Sequence, residues 1–213
     1  MQRTKSGGLI NRKEVLNFSF NGKNLKGFEG DTLSSALLGN GIHLVGRSFK
    51  YHRPRGIFTS GSEEPSALVQ LDEKKFTEPN IRATTVKLFD GLVANSQNHF
   101  GSLSWDFMRI NDYLSTFLST GFYYKTFMWP KAFWEKVYEP IIRNAAGLGK
   151  LSKEPDPSIY DKGFLHCDLL VIGAGPSGLY SALMAARTGS KVIIVDEDFT
   201  LGGSLNGEKL KIN

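Results

Sequence analysis

Apolar and polar residues alternate near the start of the chain, a spacing typical of half-buried strands. Residues 15–20 alternate in this way, and residues 25–28 repeat the pattern after Asn21-Gly22. Asn-Gly is favoured in two-residue hairpin turns because both residues accept a positive φ. The pattern therefore predicts a β-hairpin, preceded by a polar, flexible leader over residues 1–14.

The spacing then changes to that of a helix. Three apolar residues at helical spacing follow the capping sequence Gly30-Asp31-Thr32, and Gly39 or Gly41 is expected to end the helix. Apolar runs at residues 42–45 and 67–71 predict two more strands. A hairpin followed by a helix and further strands favours a small α+β unit of the β-grasp type.

A different pattern begins at residue 168. Residues 168–172 are mostly apolar, as in strands that are covered on both faces, and residues 191–195 form a second such run. Between them lie a glycine turn and a stretch with small residues at four-residue spacing. This order predicts the first βαβ unit of an α/β Rossmann-type FAD/NAD-binding domain.

The turn Gly173-Ala174-Gly175-Pro176-Ser177-Gly178 has the spacing that binds a diphosphate. Gly173 begins the tight turn, Gly175 leaves room for a phosphate, and Gly178 lets the helix lie close to the strand. Pro176 suits the first helical turn because its missing N–H costs nothing there. The free amides and the helix dipole predict an anion site that needs no charged side chain.

An acidic pair ends the second strand of this unit. Asp196 follows Gly178 by 18 residues, where a carboxylate accepts hydrogen bonds from both hydroxyls of an adenosine ribose. Glu197 is the neighbouring candidate. Because an acid here repels a 2′-phosphate, NAD or FAD is favoured over NADP.

The loop at residues 47–56 combines four cations and a histidine with two aromatic residues. Arginine forks and aromatic faces suit a phosphate or a flat ring, and a solvated loop that faces a partner is the alternative. His52 is expected to be a hydrogen-bonded structural residue. Glu63 and Glu64 are expected to face solvent or to pair with this loop, because adjacent side chains on an extended chain point apart.

Aromatic residues concentrate in the middle of the chain: 13 of the 25 lie between Phe100 and Tyr138. This density predicts a packed wedge or a subunit interface, with a helix near residues 131–137. The expected domains are a β-grasp domain at 15–78, an aromatic-rich helical connector or interface at 79–150, a linker at 151–164 and a truncated dinucleotide-binding domain at 165–213.

Composition narrows the classes of function. The net charge of +5 is too mild and diffuse to indicate a nucleic-acid partner. Cys167 is the only cysteine, which argues against disulfides and thiolate-ligated metals and favours a reducing cytoplasm. The sequence contains no apolar run of about eighteen residues, so no membrane span is predicted. No acid, base or nucleophile stands out, so no catalytic residue and no metal ligand is predicted.

Three motifs resemble one family. Residues 30–33, the run 45–56 and Gly61-Ser62-Glu63-Glu64-Pro65 resemble the N-terminal region of the alpha subunit of heterotetrameric sarcosine oxidase, and the aromatic stretch extends the resemblance. That region is similar to a ferredoxin-type β-grasp domain that carries a [2Fe–2S] cluster in relatives. Because the cluster-loop positions hold no cysteine here, the resemblance implies a ferredoxin-like fold without an iron–sulfur cluster.

The resemblance also implies an activity, cofactors and partners. Such enzymes demethylate sarcosine oxidatively to glycine, forming peroxide and a folate-bound one-carbon unit. The beta subunit carries FAD and the amine-oxidising site, FMN lies at the alpha–beta boundary, and alpha binds NAD. This chain would be an N-terminal fragment of alpha that contributes cofactor binding and assembly, inactive alone.

Site residues follow from the matching positions. Ser177, Asp196 and Glu197 would line the adenosine side of the NAD pocket, the turn backbone would meet the pyrophosphate, and Gly203-Ser204 would cover it. Arg47, Lys50 and Arg53 would approach the phosphate of FMN.

Two other interpretations stay open. The glycine site would hold FAD in a subunit of an amine or opine dehydrogenase. Alternatively, the chain is a non-catalytic truncated fragment whose aromatic segment docks a partner while the glycine turn binds nothing.

Overall fold

The structure is a computed structural model that describes residues 3–4, 8–73, 76–118, 120–122, 127, 129–145, 147, 149, 151–156 and 158–207. The strands and α-helices of these ranges are, in chain order, β1 (Asn11–Phe20), β2 (Lys23–Glu29), α1 (Leu33–Gly39), β3 (Gly46–Arg47), β4 (Pro54–Arg55), β5 (Leu68–Glu73), β6 (Phe76–Arg82), β7 (Leu92–Ser96), α2 (Ile110–Tyr113), α3 (Glu139–Ala145), β8 (Leu169–Ile172), α4 (Pro176–Arg187) and β9 (Val192–Val195).

The N-terminal part of the chain is organised around a mixed sheet in the order β2-β1-β7-β5-β6. The predicted hairpin is present: β1 and β2 are antiparallel and turn at Asn21, whose φ is 50°, and Gly22, whose φ is 74°. Strand β7 runs parallel to β1 and antiparallel to β5. Apolar residues of the sheet and of α1 form one buried cluster, in which Leu33, Leu37 and Val69 have no exposed surface.

The expected domain boundary at residue 78 lies too early. Strand β7 is central in the sheet, and β6 continues to Arg82, so the unit extends at least to Ser96. The expected strand at residues 42–45 is also absent, and the short hairpin β3–β4 follows it instead. These pairings join residues that are far apart in sequence, such as Phe18 with Leu92, so local periodicity does not reveal them.

The expectation of a flexible leader over residues 1–14 is wrong in two respects. Strand β1 begins at Asn11, where it already pairs with Glu29. Arg3 donates two hydrogen bonds, of 2.8 and 2.7 Å, to the fully buried carboxylate of Asp31. That carboxylate also accepts from the amide of Phe28, so Arg3 is tied to the turn that precedes α1. Residues 1, 2 and 5–7 lie outside the described part of the chain.

The helix expected near residues 131–137 is present but longer. A 3₁₀ turn at Lys131–Phe133 and a π-helical turn at Trp134–Tyr138 lead into α3. Pro140 lies inside this helical stretch, directly after the π-helical turn. None of the helices within the described ranges is long and apolar enough to cross a membrane.

The C-terminal unit is a parallel strand pair joined by a helix. Leu169 pairs with Val192 and Ile172 with Val195, and α4 connects β8 to β9. Gly189, with φ of 88°, follows the end of α4 as expected. Ala174 is the only buried apolar side chain among the described residues of this unit, whereas Ile172 is 81% exposed.

Candidate dinucleotide site

The glycine turn has the backbone geometry that close helix packing requires. Gly173 has φ of 98°, and its N–H donates to the carbonyl of Val195 over 2.8 Å. A Cβ at Gly178 would lie 1.9 Å from the carbonyl oxygen of Gly173. Any side chain at position 178 would therefore push α4 away from β8.

Gly175 differs from Gly178, because the space beside it is open. It is the N-cap of α4, with φ of −69° and ψ of −177°, and a Cβ there would meet no atom within 4 Å. Its carbonyl accepts the first helical hydrogen bond, from Leu179 over 2.9 Å. The helix, whose N-terminus carries the positive end of its dipole, thus begins at a residue that has open space beside its Cα.

Asp196 lies at this turn. Its Oδ2 accepts a hydrogen bond from the N–H of Ala174, and its Oδ1 accepts one of 2.8 Å from the N–H of Asp198. These amide donors, that of Ala174 first, hold the pKa of Asp196 below its ordinary value. The carboxylate is therefore ionised and fixed beside the turn at neutral pH. Glu197 is exposed.

Gly202 and Gly203 lie against the glycine turn at residues 173–178. The N–H of Gly202 donates to the carbonyl of Ala174 over 2.9 Å, and a Cβ at Gly203 would lie 3.2 Å from the Cα of Gly175. Gly203 begins a 3₁₀ turn that ends at Gly207, and Ser204 is exposed within it. The structure thus brings together the turn 173–178, Asp196 and the cover at 202–204.

Asp198 was missed in the sequence, although the run Asp196-Glu197-Asp198 is visible there. Burial raises the pKa of Asp198, and the negative charges of Asp196, Glu197 and Glu63 raise it further. The three consecutive acids create a negative potential at the end of β9. A ligand group carrying an extra phosphate would be repelled there.

The basic loop is not an open cluster of cations. Arg47 is 6% exposed, and its guanidinium donates to the carbonyls of Leu103 at 3.0 and 2.7 Å, His52 at 3.0 Å and Ser104 at 3.2 Å. The predicted contact with an FMN phosphate would require these donors to be released.

Lys50 and Arg53 both contact the ring of Tyr51. The Lys50 ammonium lies 5.0 Å from the ring centroid and the Arg53 guanidinium 4.8 Å. Arg53 also forms a 2.7 Å ion pair with Asp112, and the Tyr51 hydroxyl donates to the carbonyl of Leu118. The loop therefore fastens the segment 103–118 to the sheet unit.

His52 has the structural role that its sequence context predicts. It is 2% exposed, and its Nδ1 lies 2.6 Å from Oδ2 of the buried Asp106. Asp106 also accepts hydrogen bonds from the amides of Phe100 and Met108. The His52–Asp106 contact therefore joins the basic loop to this segment, as the hydrogen bonds of Arg47 do.

Several aromatic side chains between Phe100 and Tyr138 are exposed to solvent. Trp105 is 80% exposed, Phe107 72%, Tyr113 81% and Phe117 77%. Exposed aromatic rings of this density are typical of surfaces that pack against further protein, either as a wedge against another domain or as a subunit interface, and both interpretations stay predictions.

Comparisons with known proteins agree with the two-part layout. Residues 13–99 match a family model described as a 2Fe-2S iron-sulfur cluster binding domain. Residues 168–210 match one described as an FAD dependent oxidoreductase. A crystal structure of L-proline dehydrogenase from P. horikoshii covers 93% of this chain with a TM-score of 0.50 and 21% identity, and the match spans 27% of that chain. This structure supports the fold alone.

Sequence relatives extend the match over nearly the whole chain. Sarcosine oxidase subunit alpha of Rhizobium meliloti is 57% identical over 99% of this chain, and that of Corynebacterium sp. (strain U-96) is 35% identical over 96%. The chain spans only 21% and 17% of the lengths of these relatives. The resemblance seen in the sequence motifs is thereby confirmed: nearly the whole of this chain is similar to one part of the much longer sarcosine oxidase alpha subunits.

Proposed function

We propose that this chain contributes an NAD-binding site to the alpha subunit of a sarcosine-oxidising enzyme. The observation that carries the proposal is the open space beside Gly175, with the Asp196 carboxylate held at the same turn. The space would take a phosphate, and the carboxylate would accept hydrogen bonds from the ribose hydroxyls.

The residues fit a dinucleotide in the following way. The backbone of Gly173, Gly175 and Gly178 would face the diphosphate at the N-terminus of α4, and Gly203-Ser204 would cover it. Asp196, Glu197 and Ser177 would line the adenosine side. The acids at residues 196–198 disfavour a 2′-phosphate, which is why NAD rather than NADP is proposed. Bound NAD would supply hydride exchange, whereas this chain would bind and orient the cofactor.

The proposed activity of the whole protein is supported by the similarity to sarcosine oxidase alpha subunits. We propose oxidative demethylation of sarcosine to glycine, with peroxide and a folate-bound one-carbon unit as further products. The partner would be a flavin-bearing beta subunit, with FMN at the boundary near Lys50 and Arg53. No residue of this chain is proposed as a catalytic acid, base or nucleophile.

FAD is the second candidate for the glycine site, because residues 168–210 match an FAD dependent oxidoreductase family. FAD and NAD share the adenosine diphosphate that the turn would hold, so the turn alone does not choose between them. In that case the chain would belong to the flavin-binding part of an amine or opine dehydrogenase.

Isothermal titration of the full chain separates these candidates. NAD is expected to give saturable heat and NADP none, and the Asp196→Asn variant should lose most of the NAD signal. Asp161→Asn is the matched control, since Asp161 is an exposed aspartate outside the proposed site and should leave the affinity unchanged. Release of FAD from the purified protein on denaturation would favour the second candidate instead. No saturable binding of either dinucleotide would favour the interaction fragment.

A further inference from the structure

The connection between β4 and β5 folds around one buried carboxylate. Glu64 is 1% exposed, although the sequence predicts solvent or a salt bridge for it. Its Oε2 accepts from the amides of Phe58 at 2.8 Å and Thr59 at 2.6 Å, and from the Thr59 hydroxyl at 3.2 Å. Its Oε1 accepts from the amides of Ser66 at 2.8 Å and Ala67 at 3.1 Å.

These donors form a cradle made of backbone, which we call the amide cradle: the N–H groups of Phe58, Thr59, Ser66 and Ala67. The ion pairs found within the described ranges do not include Glu64, so neutral dipoles balance its charge. Burial raises the pKa of Glu64, but the hydrogen bonds from the cradle outweigh this and leave the pKa lowered. The cradle therefore holds an anion.

The cradle also fixes the start of β5. Ala67 donates to Glu64 and its carbonyl accepts from Ala83 over 2.9 Å, while the Thr84 hydroxyl donates to the carbonyl of Gly61. Because β5 lies between β7 and β6, the loop and the sheet are joined at this point.

The residues present do not fit the iron–sulfur cluster that the matched family model implies. Residues 13–99 contain no cysteine, since Cys167 is the only one in the chain. No group of three or more His, Cys, Asp or Glu side chains suited to a metal ion occurs among the described residues. A cluster needs four such ligands, usually thiolates.

Converging backbone amides are the usual surroundings of bound phosphates and iron–sulfur clusters, both of which are anionic. We propose that the Glu64 carboxylate is an internal substitute for such a cluster, an anion built into the chain around which the loop 58–67 folds. The ferredoxin-like unit is then a scaffold that keeps its shape without metal and transfers no electrons.

Hydrogen exchange in the full chain tests this role. In the wild type, the four cradle amides are expected to be protected although they lie in a loop. Glu64→Gln removes the charge and replaces one acceptor oxygen by an NH₂ group, so protection of these amides should fall about tenfold or more. Glu63→Gln is the matched control, because Glu63 is the exposed neighbour and its variant should leave the four amides unchanged.

A second variant tests whether the cradle itself binds anions. Glu64→Ala should lose protection at the four amides and regain it on titration with formate, in a saturable way that chloride at equal ionic strength does not reproduce. Recovery with formate alone supports the proposal, and loss without recovery contradicts an anion-binding cradle.

Three results would overturn the proposal. The first is a lack of protection at the cradle amides of the wild type. This measurement needs no variant, so the proposal can be tested even if the Glu64 variants do not fold. Equal protection in Glu64→Gln and Glu63→Gln would also overturn it. So would the assembly of a cluster, seen as visible charge-transfer absorption after anaerobic addition of iron and sulfide to the full chain.

Discussion

The two ends of the chain differ in how they cover their apolar surface. In the N-terminal sheet unit, α1 and the sheet enclose Leu33, Leu37 and Leu92 almost completely. In the C-terminal βαβ unit, Leu170 is 51% exposed and Ile172 81% exposed on a two-stranded sheet. The glycine turn nevertheless has its close backbone packing. The conformation of the glycine turn thus depends on local backbone geometry, whereas a buried core depends on residues that are distant in sequence.

The sharpest test of this contrast compares two truncations of apolar side chains. Leu37→Ala removes buried methyl groups and leaves a cavity, so it should lower the free energy of unfolding by about 2 to 5 kcal/mol. Ile172→Ala removes exposed atoms and should change it by about 0.5 kcal/mol or less. Chemical denaturation followed by circular dichroism measures both. Equal losses would show that the C-terminal unit has a core of its own.

Arg47→Met tests the fastening between the sheet unit and segment 103–118. The substitution keeps much of the buried volume but removes the donors to the carbonyls of Leu103, Ser104 and His52. Leaving buried acceptors unpaired should cost about 1 to 3 kcal/mol. Denaturation midpoints measure this cost, with Arg55→Met as the control at an exposed arginine. A loss no larger than that of the control would mean that Arg47 is not structural.

Gly178→Ala tests the close approach of α4 to β8. The added Cβ would overlap the carbonyl of Gly173, so the local cost should be about 1 to 3 kcal/mol. Faster hydrogen exchange is expected in α4 and not in the sheet β2-β1-β7-β5-β6. An unchanged exchange rate in α4 would show that the helix does not depend on this contact.

The smallest expected effect concerns pH and the Asp196 contact. Because the folded pKa of Asp196 is lowered, the contact stabilises the turn fully above the unfolded pKa of about 3.9. The contribution is lost as the pH falls through the folded pKa. The Ala174 amide resonance should therefore shift on acidification, and Asp196→Asn should remove that shift. A shift that persists in the variant would point to another group.

Local signals in the sequence predicted the features that local residues determine. Asn21-Gly22 marked the hairpin turn, Thr32 marked the start of α1, and the glycine spacing marked the turn before α4. The central position of β7 was not predicted, because its pairing with β1 joins residues more than seventy positions apart. The hydrogen bonds from Arg3 to Asp31 were not predicted either.

Side-chain direction explains the other differences. The basic loop suggested an anion site from its residue types, but Arg47 points inward to carbonyls and Arg53 pairs with Asp112. Glu63 and Glu64 are alike in sequence, yet one is exposed and the other fills the amide cradle. Composition records how many charges a loop has, and only the fold decides which of them reach solvent.

Calorimetric titration of NAD into the full chain and into its Gly175→Ala variant tests whether a dinucleotide binds at the glycine turn. Position 175 has extended backbone angles and open space, so alanine there should leave the fold unchanged while its methyl group occupies the proposed phosphate position. We expect saturable binding to the wild type and at least about a tenfold weaker affinity in the variant. Equal affinity for both proteins, or no saturable heat in the wild type, would contradict this expectation.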